Sequence, residues 1–443
     1  MGMRPHLSIA GRLSGPEIEA NFEDLHAPLT CDQAVVESAS CLYCYDAPCV
    51  KACPTGIDIP GFIHRIRTGN LEGSAKAILS ANIMGGTCAR ACPTEILCEQ
   101  ACVVNARGEE PVKIGALQRH AVDHLIAQGG AHPFERAAPS GKRFAVVGAG
   151  PAGLSFAHRA AMLGHQVTVY EARLKPGGLN EYGLAAYKMV NDFAQREVEF
   201  LLGIGGIEIE YGRVLGRDLT LDDLSKHYDA VFLGLGTGAV NEMSIPGSDL
   251  SGVENAITFI EVLRQAKDKS DLTLPNKVVV IGGGNTAIDA AVQAKRLGAE
   301  NVTLIYRRGE SDMSATAWEQ DLARVNDVVV KLWSMPIRME GDKHVARVVF
   351  EKTMISHGKL VGTGETYTIE ADLVLKAIGQ KLDPLADVRI ENGKIAVDAN
   401  FQTSLRGVFA GGDCIASGED LTVQAVEDGK RAAHAVDTLV RAK

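Results

Sequence analysis

The chain contains no apolar run approaching the roughly 18 residues that a membrane-spanning helix requires, so no transmembrane segment is expected. Residues 1–20 lack the sustained apolar core of a secretory signal, and export is therefore not expected. A long block of Lys and Arg is also missing. Lys and Arg total 45 against 55 Asp and Glu, a formal net charge of −10. That balance is poorly suited to gripping phosphate backbones, so no nucleic-acid partner is expected. Low-complexity segments and short-period repeats are absent as well. What remains is ordinary soluble composition, 46% hydrophobic and 23% charged over 443 residues. A chain of that length suggests two to four domains.

Cysteine is the exception to this plainness. Of ten cysteines, nine lie between Cys31 and Cys102, and Cys414 stands alone. A long chain without a secretion signal has little need of disulfide staples, and clustering in one stretch argues for metal ligation in a reducing, cytoplasmic compartment. Two runs carry the pattern: Cys41-x2-Cys44-x4-Cys49-x3-Cys53-Pro54, and Cys88-x3-Cys92-Pro93-x4-Cys98-x3-Cys102. Eight thiolates could hold two tetrahedral zinc ions or two iron–sulfur clusters.

Three blocks follow one another along the chain. The first is Cys-rich and helical in periodicity, for example over 60–66 and 114–126. After the Pro/Gly/Ser stretch 137–141, the pattern becomes strand, Gly-rich turn and helix. A strand over 143–148, a helix over 152–163 and a strand over 166–171 form one βαβ unit. The same grammar returns about 130 residues later, with a strand over 277–281, a helix over 286–297 and a strand over 301–306. A strand over 373–378, a strand-like 407–410 and a helix over 423–440 close the chain.

Gly148, Ala149, Gly150, Pro151, Ala152 and Gly153 spell G-x-G-x-x-G between strand and helix, with Glu171 ending the next strand. The first glycine permits the turn, the second lets backbone approach a pyrophosphate, and the third lets helix pack on strand. Glu171 stands where an acid binds a ribose hydroxyl. The second loop is Gly282, Gly283, Gly284, Asn285, Thr286 and Ala287, and its following strand ends in Arg307 and Arg308. Arginines there can accept the 2′-phosphate of NADP, or other phosphates of the nucleotide; a solvated basic strand end is the plainer alternative. NADH and NADPH both remain open.

Gly411-Gly412-Asp413 resembles the C-terminal signature of two-dinucleotide flavoproteins. Leu233 to Gly238 and Ala377, Ile378, Gly379 resemble that family's two crossover segments. The resemblance implies that the first loop binds FAD, with Asp413 on its ribityl chain and the helix after Thr422 aimed at the flavin. Leu179, Lys188, Gly412, Thr422 and Val423 are the further flavin contacts expected. The second loop, with Ala377, Ile378 and Gly379, then takes NAD(P)H.

The first cysteine run is close to the bacterial ferredoxin run, whose last Cys ligates a different cluster, and a flavin downstream supplies a reason for a redox-active metal. The whole chain resembles the electron-input module shared by dihydropyrimidine dehydrogenase and the glutamate synthase small subunit. That resemblance implies two [4Fe-4S] clusters in an α-helical domain followed by two interleaved Rossmann-like domains. The domains are then expected at 1–140 for iron–sulfur, 141–254 and 374–443 for FAD, and 255–373 for NAD(P)H. In the dihydropyrimidine dehydrogenase pattern, cluster one takes Cys41, Cys44, Cys49 and Cys102. Cluster two takes Cys53, Cys92 and Cys98, with Gln118 as an unusual fourth ligand; Cys88 competes for that place. The glutamate synthase branch carries Glu where this chain has Gln118. Cys31 and Cys414 are expected to be plain thiols.

The implied reaction is NAD(P)H oxidation on FAD, with electrons leaving through the clusters. No side chain is expected to act as a catalytic acid or base, because hydride passes between nicotinamide and flavin. No FMN barrel follows, so a partner subunit carrying FMN, clusters and the pyrimidine is expected, giving a hetero-oligomer. A glutamate synthase small subunit and a general donor to ferredoxin are the alternative functions.

Overall fold

The computed structural model describes residues 13–383, 385, 387–416 and 420–442. They form two compact units. The larger comprises residues 26–181, 191–239 and the described part of 381–443. It begins with short helices, among them Cys31–Ser38, Ile59–Arg67, Leu71–Ala81, Gly85–Ala91 and Ile114–Gln128. Their starts are well specified. Thr30 accepts from Gln33 N while Gln33 Oε1 accepts from Thr30 N, a reciprocal capping box. Asp58 and Asn70 cap the next two helices. Ile59, Phe62, Ile63 and Ile66 recur at helical spacing and are all buried.

This helical segment shares one hydrophobic core with a five-stranded parallel sheet. The sheet runs Val408–Ala410, Ala230–Leu233, Arg143–Val147, Gln166–Glu171, Ile207–Tyr211. Its central strands are buried on both faces, as the continuous run Phe144 to Val147 requires. Helices Pro151–Met162 and Thr422–Arg441 pack against each other. A methyl at Gly429 would lie 2.1 Å from Ala152 O, so that crossing needs glycine. Lys430 Nζ donates to the carbonyls of Thr55 at 3.2 Å and Ala81 at 2.8 Å, tying the last helix to the Cys-rich segment.

The smaller unit comprises residues 182–190 and 240–380 with the described residues up to Leu25. Its parallel sheet runs Val253–Asn255, Leu373–Lys376, Lys277–Ile281, Asn301–Ile305, Val329–Lys331. An antiparallel sheet of Ser334–Gly341, Val345–Ser356 and Lys359–Glu370 adjoins it. This sheet is not among the elements expected from the sequence; its strand Lys359–Glu370 is mostly exposed and has no buried face to mark it.

The helix Gly15–Asn21 lies in this smaller unit, whereas the expected iron–sulfur domain, 1–140, includes it. Ile18 and Phe22 enter its core beside Tyr187, and Arg296 Nη1 donates to Asn21 O at 2.9 Å. The nucleotide domains interleave as the resemblance implies, and the compact units divide near residues 240 and 380, where the resemblance places the bounds at 254/255 and 373/374.

Candidate functional site

The first Gly-rich loop behaves position by position as its chemistry demands. Gly148 has φ +99°, and a methyl there would stand 2.4 Å from Gly234 O. At Gly153 a methyl would meet Gly148 O at 1.9 Å, because helix and strand are drawn together. Beside Gly150 the nearest atom is Gly178 Cα at 3.9 Å, leaving the approach that a pyrophosphate uses. Glu171 is buried at the strand end; it accepts from Ala149 N at 2.7 Å and Arg173 N at 2.8 Å. One carboxylate thereby braces the loop from below.

Three remote segments meet at this loop. Gly177 N donates to Ala149 O at 2.7 Å. Gly412, with φ +78°, sits so close that a methyl would lie 2.8 Å from Ala152 Cβ, and its N–H donates to Asp428 at 3.1 Å. Thr422 Oγ1 donates to Asn180 Oδ1 at 3.0 Å, and Val423 is buried beside it in sequence. Burial pushes the Asp413 carboxyl up to about 6. Leu179 is 37% exposed. Lys188 belongs to the other unit, buried, with Nζ 2.7 Å from Asp289 Oδ1 and 2.5 Å from Glu319 Oε1. Burial pulls its pKa down, but those two carboxylates more than reverse the effect.

In the smaller unit a cavity of about 710 Å³ opens against the second loop. Gly282, Gly283, Gly284, Thr286, Arg307, Ala377, Ile378 and Gly379 line it, whereas Asn285 and Arg308 do not. The glycines are again needed: a methyl at Gly282 would meet Ala377 O at 2.2 Å, and one at Gly283 the Tyr306 ring at 2.4 Å. Tyr306 and Ser314, both lining residues, were not found from sequence because neither belongs to a motif.

The cysteines gather in two neighbouring groups, with Cys49 and Cys98 within reach of each other across them. Burial first, then Cys102 and Cys44, push the Cys41 thiol upward. Cys49 is pushed up to about 11 by burial, Cys41 and Cys102. Cys41, Cys44, Cys49 and Cys102 also line one small cavity. In the second group, the hydrogen bond with Cys88, burial, and the neighbours Cys98 and Cys53 push Cys92 well up. Cys98 is raised by burial, Glu99, Cys53 and Cys49. Protonated thiols packed this closely must lose protons to ligate, so cluster binding and proton release are linked.

Among the described residues, no three His, Cys, Asp or Glu side chains converge tightly enough for a single metal ion. Thiol-rich donor sets of this kind are the chemistry that iron–sulfur clusters take. Gln118 is buried, and its Nε2 donates to Gly85 O at 2.6 Å. A carbonyl accepts only from a donor, so the Gln118 oxygen is the atom turned away from Gly85. Cys31 is exposed, and Cys414 is buried with Sγ against the carbonyls of Leu233 and Gly411.

Residues 142–429 match the model of the pyridine nucleotide-disulphide oxidoreductases. The chain belongs to that family. It is an oxidoreductase of FAD and NAD(P)H, and its N-terminal part is an iron–sulfur domain. Residues 18–130 match the model described as dihydropyrimidine dehydrogenase domain II, 4Fe-4S cluster. The NAD-dependent dihydropyrimidine dehydrogenase subunit PreT of Escherichia coli (strain K12) is 33% identical over 94% of this chain and 96% of that one. The glutamate synthase [NADPH] small chain of the same strain is 31% identical over 94% and 93%. Mycobacterium tuberculosis FprA in complex with NADPH superposes with TM-score 0.57 at 20% identity, covering 68% of this chain and 84% of that structure. That likeness is one of fold. No helix among the described residues is long and apolar enough to cross a membrane.

Proposed function

We propose that this family member is the electron-input subunit of a dihydropyrimidine dehydrogenase, working with an FMN-containing partner that reduces uracil or thymine. The observation that carries the reading is that Cys41, Cys44, Cys49 and Cys102, drawn from both cysteine runs, line one small cavity in the same compact unit as the first Gly-rich loop. Two electrons arrive together from a nicotinamide, and when bound the flavin accepts a hydride while the clusters pass electrons singly. The residues of the chain hold and orient. Gly148 to Gly153 with Glu171, and Gly412, Asp413, Thr422 and Val423, hold FAD. The second loop, with Arg307 and residues 377–379, holds NAD(P)H. Cys41, Cys44, Cys49 and Cys102 hold one cluster; Cys53, Cys92, Cys98 and Gln118 hold the other. Gln118 favours the pyrimidine reading over the glutamate synthase one, whose branch carries Glu at that place; the similarities to PreT and to the glutamate synthase small chain are of nearly equal extent.

Isolation of the native complex tests the proposal. A co-purifying FMN subunit and uracil-dependent oxidation of NADH or NADPH are expected. Glutamine- and 2-oxoglutarate-dependent oxidation instead, or activity with ferredoxin alone, would overturn it.

The cavity separates the two arginines. Arg307 lines it and Arg308 does not. Arg307→Ala is expected to weaken NADPH more than NADH, by about tenfold for a charge-assisted phosphate bond of roughly 1.5 kcal/mol. Arg308→Ala should change neither KM. Steady-state kinetics with both nucleotides decides it, and equal losses for Arg307→Ala would exclude 2′-phosphate recognition.

A further inference from the structure

One peptide group joins Gln118 to a carboxylate from the flavin-binding part of the chain. Glu197 lies on the helix Phe193–Leu202, fully buried. Its Oε1 accepts from Gly86 N at 2.7 Å and from Thr87 N at 3.0 Å. Gln118 Nε2 donates to Gly85 O at 2.6 Å. The Gly85 carbonyl and the Gly86 N–H belong to the same amide. The array is therefore continuous: Gln118 amide, Gly85–Gly86 peptide, Glu197 carboxylate.

The surroundings are built to keep this array. A methyl at Gly86 would stand 2.4 Å from the Phe193 ring and 2.8 Å from Glu197 Oε1, so any larger residue would push the carboxylate away. At Gly85 a methyl would meet Ile78 Cγ2 at 2.6 Å. The Arg90 guanidinium stacks 3.5 Å from the Phe193 ring centroid, donates to Gly86 O at 3.0 Å, and pairs with both oxygens of Asp123. The Arg90 charge is taken up by Asp123, so burial dominates at Glu197 and pushes its carboxyl up to about 7, against the lowering effect of the hydrogen bonds it accepts and of Arg90 nearby.

We infer that Glu197 is a positioning residue for the iron–sulfur domain, acting on the Gln118 amide through the Gly85–Gly86 peptide. The inference rests on Gln118 being a cluster ligand. Hydrogen bonds in series polarise one another, and an anion at one end strengthens each link. Above about pH 7, where Glu197 is ionised, its negative charge draws on the Gly86 N–H and makes Gly85 O a stronger acceptor. The Gln118 amino group, in donating, passes electron density to its own carbonyl oxygen. The array therefore fixes which way the amide faces and makes its oxygen a better donor to iron than an isolated amide.

The test uses the reconstituted holoprotein with Glu197→Gln, Gln118→Ala and the double variant. Each is read by anaerobic redox titration, by the electron paramagnetic resonance of the reduced clusters, and by flavin content. Glu197→Gln keeps the volume and one acceptor oxygen but removes the charge. It is expected to shift the midpoint of one cluster to higher potential, leaving the other cluster and FAD content unchanged. Gln118→Ala should alter the same cluster, and adding Glu197→Gln to it should produce no further shift, because the array is already cut. An unchanged signal in Gln118→Ala would overturn the ligand reading itself. A changed signal there with none in Glu197→Gln would overturn only the positioning role, as would a full additional shift in the double variant. Should Glu197→Gln fail to load clusters, Glu197→Asp, which keeps the charge, must restore loading; its failure would also overturn the role.

Discussion

Gly153→Ala should cost the protein its flavin and part of its stability. The added methyl would lie 1.9 Å from Gly148 O and 3.1 Å from Gly148 C, both backbone atoms of the loop itself. No rotamer change relieves such a contact, so strand and helix must separate. Overpacking of that kind costs about 1–3 kcal/mol, and each 1.4 kcal/mol lost at a binding site is about tenfold in affinity. Flavin released on gel filtration and the thermal unfolding midpoint measure the two effects. Gly150→Ala is the contrasting case. Its methyl would meet only Gly178 Cα, at an ordinary 3.9 Å. The fold should be unaffected while FAD retention falls, because the methyl occupies the face where a pyrophosphate approaches. A Gly153→Ala protein that keeps both its flavin and its melting temperature would refute the assignment of this loop.

Cys102→Ser should remove one cluster and disconnect the flavin from the partner. Cys102 comes from the second cysteine run, yet its electrostatic neighbours are Cys41 and Cys49 of the first. A serine hydroxyl is a far poorer iron ligand than a thiolate. Iron and acid-labile sulfide should fall by about half, one cluster of two. NAD(P)H oxidation by an artificial dye should continue, since both nucleotide loops are intact, while delivery to the partner subunit should fail. Cys31→Ser and Cys414→Ser should change neither quantity: one thiol is exposed, and the other is buried against backbone carbonyls. Full iron content in Cys102→Ser would show that the two runs do not exchange ligands.

Motifs whose chemistry is local were legible in the sequence. The strands Gln166–Glu171 and Lys277–Ile281 have the expected bounds, because a buried parallel strand between a Gly-rich turn and a helix has few alternatives. The roles of Gly148 and Gly153 follow from steric rules that hold wherever a βαβ unit binds a dinucleotide. The partition of cysteines between two groups came from family resemblance, since spacing allows either run to close on itself. Lys188, a flavin contact by resemblance, lies in the smaller unit and is ion-paired there. Its two buried carboxylates lie 101 and 131 residues further on, as the numbering shows, and no local pattern announces them.

By itself, the sequence determined that this protein carries two dinucleotide loops and a thiolate-rich segment ahead of them. Those are properties of short spacings and of residue chemistry. Only the tertiary structure decided which of two adjacent arginines lines the cavity and that Glu197 reaches the peptide beside Gln118. The Glu197 bonds span 110 and 111 residues. Contacts of that range are fixed by how helices pack, and packing depends on the shape of the whole core more than on any neighbouring run of residues.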